Sequence, residues 1–99
     1  PNNIQSTTTE ELNEGGKLFQ NIPNPFNSET TIAYYLPSNT IGAKIIIQDM
    51  NGVVVKAVDL YKDGNGTIKL KSSEFSKGVY IYSLIIENKT IDVKRMLLN

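Results

Sequence analysis

Beyond residue 17 the chain's carboxylates are Glu29, Asp49, Asp59, Asp63, Glu74, Glu87 and Asp92. Two of them at the right separation would suffice for the acid/base pair of a glycosidase. Most fall at turns or at outward positions of short strands, in a domain thin enough to leave little room for a cleft, and they read as solvated surface acids. Asp49 has a structural use as well, because an Asp just ahead of Asn51-Gly52 hydrogen-bonds the backbone of such a turn. Asp63-Gly64-Asn65-Gly66-Thr67-Ile68 has the pattern of the middle of a calcium-binding EF-hand loop. Placing Gly66 sixth puts Tyr61 first and Ser72 twelfth, where the loop requires an acidic ligand and a bidentate glutamate. A β-turn accounts for the segment better. The serines have no histidine partner, since the chain contains none, and no nucleophile-elbow sequence surrounds them. Catalysis by this chain is not expected.

Binding chemistry has two candidates. Tyr34, Tyr35, Tyr80 and Tyr82 could stack on sugars, but alternation puts all except Tyr35 on the apolar faces of their strands, where they pack in a core. Lys94-Arg95, close to the last residue, reads equally well in two ways: as solubilising charges on an edge strand, or as a recognition handle.

Composition narrows the classes further. Ten basic and ten acidic residues give a formal net charge of +0, which argues against nucleic-acid binding driven by phosphate neutralisation. The charge is uneven: Glu10, Glu11 and Glu14 make the leader acidic, and Lys89, Lys94 and Arg95 make the tail basic. Without cysteine there is no disulfide, thiol nucleophile or thiolate metal site; without histidine the usual general base and zinc ligand are missing. No cofactor is implied. No segment has the length and apolarity of a membrane helix or the pattern of a signal peptide. The chain opens on Pro1 rather than Met, so we expect a piece of a longer protein.

The elements that must position these residues begin after a polar stretch. Residues 1–17 contain only Ile4 and Leu12 as apolar members; one helical turn at residues 10–14 would end at Gly15-Gly16. They read as a flexible linker, and residues 18–99 as the domain. Pro23-Asn24-Pro25 then holds a non-helical corner, because proline fixes its own φ and pushes the preceding residue out of the helical region. Leu18 and Phe26 anchor that corner in the core. Strands are predicted over residues 17–20, 30–36, 43–49, 53–61, 67–71, 79–87 and 90–98. Ile32, Tyr34 and Leu36 share a face, as do Ala43, Ile45 and Ile47, and Tyr80, Tyr82, Leu84 and Ile86. In the last strand Ile91, Val93, Arg95 and Leu97 alternate with Thr90, Asp92, Lys94, Met96 and Leu98. Asn51-Gly52 predicts a type I′ hairpin, residues 62–66 a second turn, residues 72–77 a connection with a short 3₁₀ turn and Phe75 tucked under, and Asn88-Lys89 a tight turn. Seven short strands at 8–12-residue spacing without a helix predict an all-β, antiparallel, seven-stranded immunoglobulin-like β-sandwich.

The order of these segments resembles the type A C-terminal sorting domain of the Bacteroidota type IX secretion system. The likeness is carried by Leu18-Phe19-Gln20-Asn21-x-Pro23-Asn24-Pro25-Phe26-Asn27, Thr30-Thr31-Ile32, Leu36-Pro37, Asp49-Met50-x-Gly52, Gly78-Val79-Tyr80-x-Tyr82-Ser83-Leu84 and Lys94-Arg95-Met96. What the resemblance implies is a non-catalytic signal that takes an upstream cargo in the same chain through the outer-membrane translocon, with shuttle proteins as further partners. A sortase-like cysteine protease at the cell surface then removes the domain. The product is secreted or held at the surface. On this reading the signal residues are Pro23, Asn24, Pro25, Phe26, Asp49, Gly52, Gly78, Tyr80, Lys94, Arg95 and Met96, with the last strand making the contact by β-augmentation or through its basic pair. The cleavage region is Asn13, Glu14, Gly15, Gly16 and Lys17. An exposed edge strand would also support a homodimer. The competing class is an extracellular immunoglobulin- or fibronectin-like accessory module that binds polysaccharide or spaces the domains of a hydrolase.

Overall fold

A computed structural model describes residues 15–99; of the linker expected over residues 1–17, residues 1–14, with the helical turn expected over 10–14, lie outside the described residues. The elements run β1 (Lys17–Leu18), β2 (Glu29–Leu36), β3 (Ala43–Asp49), β4 (Val54–Leu60), β5 (Gly64–Lys71), a 3₁₀ turn (Ser72–Glu74), β6 (Gly78–Ile86) and β7 (Lys89–Leu98). They form two antiparallel sheets, β1-β2-β5 and β4-β3-β6-β7. This is the expected immunoglobulin-like sandwich, with β4 in the four-stranded sheet.

Period-two alternation decides which side chains meet between the sheets. Ile32, Tyr34 and Leu36 from β2 and Leu70 from β5 are buried against Ala43, Ile45 and Ile47 from β3, Tyr80, Tyr82 and Leu84 from β6, and Met96 and Leu98 from β7. Leu18 and Phe26 complete the core from the corner, at 0% and 1% exposure. Phe75 is tucked beneath the 3₁₀ turn with its ring edge-on to Tyr80, centroids 5.4 Å apart.

The turns depart from expectation in an instructive way. Asn51-Gly52 does not form a type I′ turn, because only Gly52 has positive φ (84°). The Gly52 N–H donates to Asp49 O at 3.0 Å and the Asp49 N–H to Val53 O at 3.0 Å, which closes a three-residue loop with glycine at its left-handed position. The extra residue is absorbed by a bulge: Ile47 pairs with Lys56 but Gln48 with Val54. Asp49 Oδ1 accepts from the amides of Asn51 and Val53, the turn-capping use its position suggested. Type I′ geometry occurs instead between β6 and β7, where Glu87 and Asn88 have φ of 50° and 68°, one residue earlier than the predicted turn. A second bulge follows, with Leu84 opposite Asp92 and Ile85 opposite Thr90. Ile91 is thereby removed from the face of Val93, Arg95 and Leu97 and packs against the core. β5 begins at Gly64 rather than residue 67 because it pairs with the whole of β2, down to Leu36 opposite Gly64. β1 stops at Leu18, two residues short of expectation, and the chain turns away into the corner.

Phe26 is the largest apolar side chain the corner contributes. Phe26→Ala should lower the unfolding free energy by about 3–5 kcal/mol, measured by denaturant titration; a change below about 1 kcal/mol would mean that the corner does not anchor the sandwich.

Candidate functional site

The corner joins the two ends of the folded chain. Ile22-Pro23 and Asn24-Pro25 are both cis, and the segment between β1 and β2 lies along the free edge of β7. The Phe26 N–H donates to Leu97 O (3.0 Å) and the Asn99 N–H to Phe26 O (2.8 Å). The Leu97 N–H donates to Asn24 Oδ1 (2.9 Å) and Gln20 Nε2 to Arg95 O (2.6 Å). Further along, the Leu18 N–H donates to Asp92 Oδ2 at 2.8 Å. The seam between β1 and β7 is thus laced from Asp92 to Asn99, and over its last third β7 has no vacant edge for another strand.

Beneath the seam lies a buried polar cluster. The Tyr82 hydroxyl donates to Phe19 O (2.7 Å) and accepts from the Asn21 N–H (2.8 Å). Asn21, 1% exposed, donates through Nδ2 to Pro23 O and Thr30 Oγ1, both at 3.1 Å, and accepts from Gln20 Nε2 at 2.7 Å. Thr30 Oγ1 donates to Pro23 O at 2.8 Å. No buried side-chain nitrogen or oxygen among the described residues lacks a partner, the condition for burying such a cluster at little cost. Burial pushes the Tyr82 phenol up to about 12.

The residues expected to form the site divide into three groups. Pro23, Asn24 and Pro25 are exposed and Phe26 is buried; Asn24 and Phe26 meet the tail at Leu97 and Asn99, one to four residues beyond Arg95 and Met96. Asp49, Tyr80 and Met96 form one row across β3, β6 and β7, and Gly78 stands opposite Leu98. Gly52 serves the hairpin alone. Tyr80 is buried and donates to Ser76 O at 2.6 Å. The basic pair is split: Lys94, opposite Tyr82, is half-buried, whereas Arg95, opposite Ile81 on the other side of the sheet, is exposed. Of the expected cleavage region, Gly16 is packed. A Cβ there would stand 3.1 Å from Leu84 Cδ2 and 3.2 Å from Ile86 Cδ1 at a φ of 114°, and Lys17 is already in β1.

A shallow cleft of about 460 Å³ opens beside the β3–β4 hairpin, lined among others by Asp49, Glu74, Phe75 and Val79. Its carboxylates are engaged in structure. Glu74 accepts from Lys56 through Oε1 and from the Lys71 amide through Oε2, and the Lys56 ammonium holds its carboxyl below the usual range. Sequence reasoning gave no role to Gln20, Asn21, Thr30 or Asp92. The two buried ones, Asn21 and Thr30, lie in segments that carried the family likeness, but nothing in one chain told buried polar partners from surface ones.

Fold and seam define a small immunoglobulin-like module whose carboxyl-terminal strand is locked in place by its own amino-terminal corner. The chain belongs to the secretion system C-terminal sorting domains, the family that residues 21–99 match. It is therefore a type IX sorting signal, of a family generally without catalytic activity. It engages that secretion machinery for export to the surface or the medium. No curated protein and no solved structure matches the chain.

Two consequences of the site are measurable. Tyr82→Phe orphans the Phe19 carbonyl and the Asn21 amide and should cost about 1–3 kcal/mol in denaturant unfolding. Because the folded-state phenol titrates above its ordinary value of 10.0, its contribution is complete below about pH 10 and is lost as pH rises toward about 12. The wild type should therefore lose stability across that window more steeply than Tyr82→Phe. Asn24→Ala should accelerate amide exchange at Leu97 relative to Met96, whose partner strand is β6; unchanged exchange at Leu97 would show that Asn24 does not hold the seam.

Proposed function

We propose that this domain directs an upstream cargo through the outer-membrane type IX translocon as a folded signal, and that a sortase-like cysteine protease removes it at the cell surface. The match of residues 21–99 to the sorting-domain family carries this reading, and the seam adds how the signal is presented. Residues from the corner (Pro23, Asn24, Pro25 and Phe26) and from the tail (Lys94, Arg95 and Met96) come together only in the folded chain, where Pro23, Asn24, Pro25 and Arg95 are exposed to the machinery and the buried Phe26 and Met96 hold them in place. Asp49, Gly52, Gly78 and Tyr80 hold the hairpin and the row beneath that surface. Translocon and shuttle proteins contact the β7 side. They do so through side chains, since the backbone edge near Arg95 and Leu97 is occupied by Gln20, Asn24 and Phe26.

Cleavage falls upstream of Gly15. A protease needs an extended, accessible backbone, and Gly16 is wedged against Leu84 and Ile86. A homodimer, where one forms, uses β4, which is an outermost strand of its sheet and carries exposed Val54 and Val55.

The test is a fluorescent reporter carrying a signal peptide and residues 1–99, expressed in cells with an intact type IX system and in a translocon-null strain. Reporter should reach the surface or medium only in the intact strain, shortened by about the mass of the domain. Deletion of residues 90–99 should abolish export; unimpaired secretion of that truncation would overturn the reading.

A further inference from the structure

We propose that the outer face of the four-stranded sheet is the surface read by the export machinery, and that its partner is an apolar protein surface bearing a carboxylate that meets Arg95. This deepens the sorting-signal reading and rests on it.

The strand registers bring Ile46, Ile81, Ile85, Val93 and Leu97 to one side of the sheet. Ser83 lies between Ile46 and Val93, and Ile81 between Gln48 and Arg95. None of these aliphatic side chains faces the core; the isoleucines and Leu97 are half-buried by one another and Val93 is 49% exposed. Ser83, on the same outward side, is only 7% exposed because its neighbours cover it. An antiparallel sheet with one solvated face should be polar there, and the three-stranded sheet is largely so, with the rings of Phe19 and Tyr35 as its exposed apolar groups. Its outer side pairs Thr31 with Lys69, Ala33 with Thr67, and Tyr35 with Asn65 and Lys17. Strand propensity favours β-branched residues on any face, but it would apply to both sheets alike and does not ask for Leu97. The contrast between two sheets of one small domain marks the second as a surface meant to be covered.

Charge selects the partner. Arg95 projects from the apolar side, and among the described residues its guanidinium has no ion pair and no hydrogen bond; the one ion pair there joins Lys56 to Glu74. Lys94 turns to the opposite face. Asp59, on the same outer side, already stands opposite Lys44 at the β4 margin. An aliphatic patch with one arginine that is unpaired among the described residues has the composition of a protein–protein hot spot, and a carboxylate would meet that arginine in a charge-assisted pair. A glycan would instead call for outward aromatic rings, and Tyr35 belongs to the other sheet.

The experiment uses the reporter fusion with the whole chain in cells with an intact type IX system. Ile81→Lys and Arg95→Glu alter the proposed face; Tyr35→Lys and Thr67→Glu alter the other sheet and serve as controls. Each purified domain is checked by thermal unfolding. The first pair should lower the exported fraction by about tenfold or more, the scale of a lost hot spot, with the controls within about twofold of wild type. Export of the wild type together with undiminished export of Arg95→Glu would overturn this inference alone. Failure of the wild type itself to be exported would overturn the sorting reading on which it depends. Should Ile81→Lys not fold, Arg95→Glu decides, since its side chain is outward. A wild-type domain that is dimeric by light scattering, made monomeric by Ile81→Lys without loss of export, would assign the face to a second copy and end the proposal.

Discussion

The hydroxyl of Tyr82 ties the amino-terminal corner to the middle of β6. It projects from the middle of β6 into the loop between β1 and β2 and bonds the backbone on both sides of Gln20. One side chain thereby fixes where the chain leaves β1 and how the corner begins. Asn21 and Thr30 continue the cluster to Pro23, and Asn24 and Phe26, placed by it, close the edge of β7. A neutral phenol suits this role because it donates and accepts at once. The burial that makes it effective is also what raises its pKa.

The same closure explains an asymmetry. A sandwich has two seams where its sheets come together, and unpaired strand edges invite association. On the β1–β7 side backbone and side chains satisfy one another. On the β4–β5 side the one ion pair among the described residues joins Lys56 of β4 to Glu74 of the 3₁₀ turn, between half-exposed side chains that add little in water. There the edge is protected by weaker means: a bulge in β4 and its inward-turned lysine. Both β4 and β7 have a single hydrogen-bonded neighbour in the sheet, β3 and β6 respectively, and only β7 has its other edge occupied by the corner.

Most of this architecture was legible in the sequence, and the exceptions share a cause. Strand identity and facing came from alternation, which is local, and the inward sets on β2, β3 and β6 are those that pattern predicts. Turn type did not, because Asn51-Gly52 suits both a two-residue loop and the left-handed end of a three-residue loop, and the choice depends on a bulge farther along β4. Ile91 misled for the same reason: one inserted residue reverses every assignment before it. The corner was visible as a break in helix and strand but not as a cover for β7, since its partners are more than 70 residues away in sequence, as with Asn24 and Leu97. Buried polar side chains such as Asn21 look no different in one chain from surface ones.

That distance bears on what kind of signal this is. A linear address would survive unfolding, because its residues are contiguous. Here Arg95 reaches its surface only when β7 is paired with β6, and that pairing is held at its far end by Asn24 and Phe26. The residues that hold the fold and those that face outward are therefore coupled without being the same. Tyr82 and Phe26 determine whether the outer face exists, whereas Ile81 and Arg95 determine what it presents. Substitutions of the first kind should lower stability and export together, while those of the second should lower export alone. Separating the two in one set of variants distinguishes recognition of a folded surface from recognition of a peptide.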